Sequence, residues 1–139
     1  MQAGKFNVIT DGQWGSCGKG LITSALADRY RPGILSTTNM ANAGHTAVNA
    51  NGDAFVAKAL PSAAMLKKWT GGEYSPSIMV GPSAAFTIDQ MLKEINECDV
   101  AENTVIHPRA GVITHEHKEA EADLKTGTKS VASTMQGCG

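Results

Sequence analysis

The chain of 139 residues is long enough for one domain with a single moderate hydrophobic core. Its twelve Lys and Arg residues are balanced by thirteen Asp and Glu residues, and the formal net charge of −1 argues against nucleic acid as a partner. No apolar run approaches the roughly 20 residues that a membrane-spanning helix needs, so we expect no membrane partner either. Three cysteines without metal-type spacing, and a start that does not resemble a signal peptide, predict a cytoplasmic protein with free thiols.

The first thirty residues predict a strand, a glycine-rich turn and a helix. The apolar run 6–10 is typical of a short buried strand, and Asp11-Gly12 ends it. The helix continues to about Tyr30, where Pro32-Gly33 stops it. Its apolar face is predicted to contain Leu21, Ile22, Ala25 and Leu26.

The remainder of the chain predicts further strands and helices in alternation. The pair Asn51-Gly52 separates two short apolar runs, 47–49 and 54–57, which indicates a hairpin with a two-residue turn. A capping box over 87–90 opens a helix, and the apolar face of that helix is predicted to contain Ile88, Met91, Leu92 and Ile95. The other predicted elements are strands over 34–37, 77–80 and 104–106, a polar loop over 39–46 and a polar helix over roughly 115–124.

Strands that alternate with helices predict an α/β fold. We expect a P-loop-like, mostly parallel sheet flanked by helices, with the small β-hairpin as a local exception. The segment 133–139 is rich in Ser, Thr and Gly, as anion-binding loops are, and such loops usually lie between elements. The sequence therefore predicts an incomplete domain.

The segment 6–30 resembles a phosphate-binding P-loop, in which backbone N–H groups and a helix N-terminus hold phosphate oxygens while a Lys neutralises their charge. Its spacing departs from the usual pattern, because five residues separate Gly12 from Gly18 and because Gly20 replaces the Ser or Thr that ligates Mg²⁺. A ligand-free turn between strand and helix is the alternative. Three glycines and Lys19 within six residues argue against that alternative.

His45 is the histidine that the sequence favours as a functional residue. It belongs to a polar loop beyond the second strand, where the ligands of open α/β sheets collect. His115 and His117 are two residues apart, which gives no metal pair of the i, i+4 kind and indicates a solvated helix face. His107, beside Pro108, receives no role.

Four motifs occur in a fixed order along the chain. They are Gln13-Trp14-Gly15-x-x-Gly18-Lys19-Gly20, Asn42-Ala43-Gly44-His45-Thr46, Leu60-Pro61-Ser62 and Ser133-Thr134-x-Gln136-Gly137. Over residues 6 to 139 the chain resembles the adenylosuccinate synthetase family. The resemblance implies that residues 1–139 are the N-terminal third or so of one longer synthetase domain, and we expect the isolated fragment to be inactive.

The glycine-rich loop departs from the family pattern at two positions. Ser16 stands where the family has the Asp that abstracts the purine N1 proton, and Cys17 stands where it has a Glu. One interpretation is a degenerate, inactive member; the other, favoured here, is the phage-encoded branch that makes a 2-aminoadenine nucleotide. A Ser hydroxyl is small and can donate or accept a hydrogen bond, so it leaves room for the 2-amino group of guanine, although it is a weak base.

The resemblance implies a ligation in two steps. A nucleoside triphosphate, ATP or GTP, phosphorylates the purine 6-oxygen, and the amine of L-aspartate then displaces the phosphate. The favoured acceptor is dGMP, with IMP as the alternative, and a non-catalytic nucleotide-binding module is a third possibility. The resemblance further implies Mg²⁺ as cofactor and a homodimer in the host cytoplasm.

The same resemblance assigns the site residues. Catalytic roles fall to Ser16, Lys19 and His45. The residues implied to bind the triphosphate are Gly15, Ser16, Cys17, Gly18, Lys19, Gly20, Leu21, Gly44, His45 and Thr46. Purine monophosphate binding falls to Ser16, Asn42, Ala43, Ser133, Thr134 and Gln136. Mg²⁺ binding falls to Ser16 and to the Gly44 carbonyl.

Overall fold

The structure is a computed structural model that describes residues 1–2, 4–13, 17–125 and 134–138. Groups of two or three strands alternate with helices along the described chain, and two of these helical segments include a short 3₁₀ helix. In chain order they are α1 (Lys19–Tyr30), β1 (Ile34–Thr37), β2 (His45–Val48), β3 (Ala54–Ala57), a 3₁₀ helix (Ser62–Met65), α2 (Leu66–Trp69), β4 (Ser77–Val80), β5 (Ala85–Phe86), α3 (Ile88–Cys98), a 3₁₀ helix (Ala101–Asn103), β6 (Thr104–Ile106), β7 (Gly111–Val112) and α4 (His115–Lys125).

A three-stranded parallel sheet in the order β1-β4-β6 organises the fold. Alternate residues of its strands, such as Leu35 and Ile78, are buried, and they share the core with the residues around the first 3₁₀ helix. On the other face Ile34, Met79 and Val105 are exposed. The mixed α/β fold with a parallel sheet, its helices and the hairpin β2–β3 confirm the predicted fold class.

The predicted strand over residues 6–10 is wrong. These residues form no strand, and Phe6 and Val8 are 85% and 67% exposed. Apolar residues favour burial, but a strand forms only where a neighbouring backbone offers its hydrogen-bonding groups. Within the described part of the chain, no strand pairs with this segment. It instead borders a cavity described below.

Helix α1 lies where it was predicted, but the predicted buried face is wrong. Leu21 and Ile22 are about half exposed, whereas Gly20, Ser24 and Ala27 are buried. The helix packs on β2 and on the first 3₁₀ helix. Because the buried residues are small, the helix axis comes close to its neighbours, and larger side chains do not fit between them.

The hairpin β2–β3 is confirmed, but its turn is longer than predicted. Val48 pairs with Ala54, so five residues separate the two strands, and the Asn49 amide donates to the Asp53 carbonyl at 3.0 Å, which leaves the three residues 50–52 in the turn itself. Gly52 has a φ of +87°, the conformation that closes a three-residue turn of this kind. His45 begins β2 and so does not belong to the loop, as had been predicted for it.

Helix α3 begins as predicted, because the Thr87 hydroxyl oxygen accepts a hydrogen bond from the Gln90 amide at 3.4 Å. Its buried face differs from the prediction. Met91, Glu94 and Cys98 are buried and Ile95 is partly buried, whereas Ile88 and Leu92 are 56% and 53% exposed. Burial raises the pKa of the Cys98 thiol to about 12, with the Glu94 carboxylate adding to the effect.

The last elements agree with the sequence. Strand β6 and helix α4 occupy the predicted positions, and the residues at 134–138 form neither helix nor strand. Across the described ranges, none of the helices is long and apolar enough to cross a membrane.

Candidate functional site

A cavity of about 430 Å³ opens at the carboxyl end of β1. The N-terminal segment 6–9 and the residues 36–39 form two of its walls. Lys19 and Gly20, from the first turn of α1, and His45, from β2, complete it together with Pro61 and Ser62. Ligands of open α/β sheets bind beyond the carboxyl ends of the strands, and this cavity has that position.

Lys19 is the first residue of α1 and forms an ion pair with Asp11. The hydrogen bond from Lys19 is the main reason why the pKa of the Asp11 carboxyl lies below its usual range. The second carboxylate oxygen, Oδ1, is buried and has no hydrogen-bond partner within the described residues. A hydrogen bond from Cys17 lowers the pKa of Asp11 further, so this carboxylate interacts with two residues around the start of α1. No sequence motif predicts a functional role for Asp11.

His45 is partly buried in the wall of the same cavity. Burial lowers the pKa of its imidazole below 6.5, the positive charge of Lys19 lowers it further, and the Asp11 carboxylate opposes both effects. The imidazole is therefore neutral at pH 7. A bound polyanion would oppose the effect of Lys19 and raise this pKa.

Gly20 brings the first turn of α1 against β2. A Cβ atom at position 20 would lie 2.7 Å from both the backbone N and the backbone O of Thr46. The buried hydroxyl of Ser62 donates a hydrogen bond of 3.0 Å to the Gly20 carbonyl. Only glycine permits this approach, which places Lys19 and His45 around one cavity. A structural role for Gly20 and Ser62 was not foreseen.

A buried carboxylate fixes the segment that leads to Ser62. Glu94, 1% exposed, accepts hydrogen bonds from three successive backbone amides, those of residues 58–60, at 2.8 to 3.1 Å. It also accepts one of 2.7 Å from the Gln90 side chain. The Leu60 carbonyl accepts from the Asn39 side chain at 3.1 Å, which joins this segment to the cavity wall. One sequence feature could have indicated this anchor: Glu94 lies about one turn after Met91, on the buried face of α3.

The structure brings some predicted site residues together and separates others. Lys19, Gly20 and His45 line the cavity, and Thr46 contacts Gly20. Gly18 is the residue before α1, with a φ of +73°, and Cys17 is partly buried beside it. Leu21 is exposed and does not line the cavity.

The other predicted residues fall into two groups. Asn42 and Gly44 are exposed and Ala43 is partly buried, all in the loop before β2. Thr134 is exposed, and Gln136 lines a second, smaller cavity together with Ala41. Gly15, Ser16 and Ser133 lie outside the described residues.

The fold and the site define an α/β protein with a P-loop-like segment, in which a lysine opens the helix after a glycine-rich loop. The model of the family described as adenylosuccinate synthetase matches residues 8–139. The chain belongs to the adenylosuccinate synthetase family, which confirms the resemblance seen in its motifs.

Curated relatives of the chain include proteins of phages and of archaea. The N6-succino-2-amino-2'-deoxyadenylate synthases of Salmonella phage PMBT28 and Vibrio phage phiVC8 are 36% and 37% identical to the chain over 138 and 139 residues. These matches cover 97% and 94% of the chain but only 35% and 37% of the relatives. The adenylosuccinate synthetase of Methanocaldococcus jannaschii is 31% identical over 95% of the chain. The chain thus spans about a third of the length of its relatives.

Two solved structures share the fold. The cyanophage S-2L succinoaminodeoxyadenylate synthetase, bound to dGMP and dATP as an energy donor, has a TM-score of 0.72 and 32% identity over 90% of the chain and 33% of its own. The fully ligated adenylosuccinate synthetase of Plasmodium falciparum has a TM-score of 0.74. It is 22% identical over 90% of the chain and 29% of its own, and it supports the fold alone.

Proposed function

We propose that this chain forms part of a ligase that joins L-aspartate to the 6-position of dGMP, with hydrolysis of a nucleoside triphosphate. The observation that carries the proposal is the convergence of Lys19 and His45 on one cavity at the carboxyl end of the sheet. Ser16 in the preceding loop supports dGMP as the acceptor, as do the names of the phage relatives. The donor is ATP or its deoxy analogue, since the cyanophage structure holds dATP as an energy donor.

In this proposal Lys19 provides the countercharge for the triphosphate. Phosphoryl transfer depends chiefly on positioning and on neutralisation of charge. The backbone of residues 15–21 and the N-terminus of α1 offer N–H groups to phosphate oxygens, as helix N-termini do. On binding, Lys19 exchanges the Asp11 carboxylate for a phosphate, and the carboxylate becomes available for a cation.

His45 acts as the general acid. Its imidazole is neutral without ligand, because burial and Lys19 lower its pKa. Phosphate oxygens reverse the electrostatic part of this effect, and a protonated imidazole then donates its proton to the oxygen that leaves the transferred phosphoryl group.

Mg²⁺ fits the donors present beside Lys19. The unpartnered Oδ1 of Asp11 is a hard oxygen ligand of the kind that Mg²⁺ prefers. The Gly44 carbonyl and the Ser16 hydroxyl are the further ligands that we propose. When bound, the ion supplies positive charge to the phosphates. Within the described residues no three His, Cys, Asp or Glu side chains cluster, and in this proposal phosphate oxygens and water would supply the remaining ligands.

The purine nucleotide lies between the loop before β2 and the segment around Gln136. We propose that Asn42 and Ala43 contact it, that Ser16 leaves space for the 2-amino group, and that Thr134 with Ser133 and Gln136 binds the 5′-phosphate.

Membership in the adenylosuccinate synthetase family supports a homodimer, which sedimentation analysis of the full-length protein tests.

The decisive experiment supplies the full-length protein that carries this chain with Mg²⁺, ATP and L-aspartate, and with either dGMP or IMP. We expect the N6-succinyl product from dGMP, detected by mass spectrometry, and none when aspartate is omitted. Preference for IMP would assign the protein to ordinary adenylosuccinate synthesis. Binding of both nucleotides without product would identify a non-catalytic nucleotide-binding module, and His45→Ala would then leave affinity largely unchanged.

A further inference from the structure

A second cavity, of about 120 Å³, adjoins the first. The same chain segments line both: the loop 39–44 contributes Asn39 to the first cavity and Ala41 to the second, and His45, at the start of β2, lines the first. The segment 58–62 likewise contributes its later residues to the first cavity and its first two to the second. The second cavity is too small for a whole nucleotide, since sites for drug-sized ligands measure roughly 300–1,000 Å³. It has room for one functional group.

Two lysines from different elements line this cavity. Lys58 follows β3, and Lys118 lies in α4. No hydrogen bond or ion pair within the described residues engages either ammonium group. The other polar side chains of the lining are those of Thr87, Gln90 and Gln136, and no carboxylate is among them. Gln90 and Gln136 already donate to Glu94 and to the Thr134 carbonyl, so the two ammonium groups are what give this cavity the chemistry of an oxyanion site.

Buried carboxylates hold both sides of this cavity in place. Glu94 accepts from the Lys58 amide at 2.8 Å, so the backbone that carries one lysine is fixed to α3. Glu121 is buried on α4 and accepts from the amides of Gly137 and Cys138, the latter at 3.2 Å. These bonds place Gln136 beside the helix that carries the second lysine. The site is thus largely formed before a ligand arrives, which lowers the entropic cost of binding.

We propose that Lys58 and Lys118 bind the 5′-phosphate of the purine nucleoside monophosphate, with Gln136 as a further donor. This inference rests on the proposed function and adds two residues that belong to none of the four sequence motifs. Because the segments 39–44 and 58–62 line both cavities, this phosphate lies next to the Lys19 cavity. One nucleotide then extends from the second cavity towards the triphosphate in the first.

Calorimetric titration of the full-length protein with dGMP and with deoxyguanosine tests the proposal. Lys58→Met and Lys118→Met should each weaken dGMP binding about 10- to 100-fold, as expected for loss of a charged hydrogen bond. Both should leave the affinity for deoxyguanosine unchanged, and Lys58→Arg and Lys118→Arg should restore most of the affinity for dGMP. Lys93→Met removes an exposed lysine of α3 outside both cavities and is the matched control.

Three results would overturn the proposal: unchanged affinity for dGMP in both Met variants, equal weakening of nucleotide and nucleoside, or a raised KM for L-aspartate with dGMP binding intact. The last would place a substrate carboxylate in the cavity. Thermal unfolding of each variant confirms that the fold is retained. If the protein does not ligate aspartate to dGMP, IMP against inosine, with inorganic phosphate as competitor, tests the lysines independently of the proposed reaction.

Discussion

The hydroxyl of Ser62 donates a hydrogen bond of 3.0 Å to the carbonyl of Gly20, 42 residues earlier in the chain. This bond joins the start of the first 3₁₀ helix to the first turn of α1, both of which border the Lys19 cavity. Gly20 in turn contacts the backbone of β2 next to His45. The position of His45 relative to Lys19 therefore depends on how closely three elements pack around one glycine.

Gly20→Ala should destabilise the protein by about 1–3 kcal/mol, the usual cost of overpacking. The added methyl group would lie 2.7 Å from the backbone N and O of Thr46, and backbone atoms cannot yield as a flexible side chain can. Urea unfolding followed by circular dichroism measures the loss. Gly33→Ala is the control, because no atom lies within 4 Å of a Cβ there, and its stability should be unchanged or slightly higher. Equal stability of both variants would contradict the packing described for α1.

Glu94→Gln should cost about 2–4 kcal/mol of stability, because a glutamine turns an NH₂ group towards backbone N–H donors and leaves buried groups unpaired. The wild-type carboxylate accepts from the amides of residues 58–60 and from Gln90. Glu97→Gln changes an exposed residue of the same helix and should stay within about 0.5 kcal/mol of the wild type. Chemical denaturation compares the two; a neutral effect of Glu94→Gln would show that the segment 58–60 does not depend on this anchor.

These relationships mark what the sequence could and could not predict. The strands over 34–37 and 77–80 agree with the prediction residue for residue, because Pro32-Gly33 precedes the first and because Pro76 and Gly81 bound the second. The buried face of α1 was missed because small residues carry no hydropathy signal even though they decide how closely a helix packs. The segment 6–10 carries a hydropathy signal, but none of the described strands pairs with it, and no local pattern reveals this.

The sequence predicted only the part of the site that lies in local motifs. Lys19 and His45 lie in recognisable motifs, and the structure brings them to one cavity. Glu94 and Ser62 act through partners 34 to 42 residues away, so their roles depend on tertiary contacts. Asp11 follows an apolar run that favours a strand, and its ion pair with Lys19 is a contact between residues eight positions apart that no local pattern predicts.

The imidazole of His45 should titrate below pH 6.5 in the ligand-free protein, since burial lowers its pKa first and Lys19 adds to the effect. Lys19→Met should raise this pKa by removing a positive charge, and Asp11→Asn should lower it further by removing a negative one. NMR titration of the His45 imidazole resonances in the wild type and in each variant measures both shifts. Shifts in the same direction in both variants would contradict the arrangement.

The same pKa makes stability depend on pH. Because the folded pKa of His45 lies below the unfolded value of 6.5, the unfolded chain binds more protons in the interval between the two. The contribution of neutral His45 to the free energy of unfolding is complete above pH 6.5 and is lost as the pH falls through the folded pKa.

Addition of a nucleoside triphosphate should raise the pKa of His45, and an unchanged titration with nucleotide bound would argue against its role as general acid.

Ser16→Asp should reverse the choice of purine. The proposed function requires space beside N1 for the 2-amino group of guanine, and a carboxylate at position 16 would crowd that group while it restores a strong base for IMP. We expect kcat/KM for dGMP to fall about 10- to 100-fold, within the range that pocket contacts deliver, and turnover of IMP to increase. Ser83→Asp adds a carboxylate at an exposed serine after β4 and controls for the added charge. Undiminished dGMP turnover by Ser16→Asp would remove the steric basis for the proposed specificity.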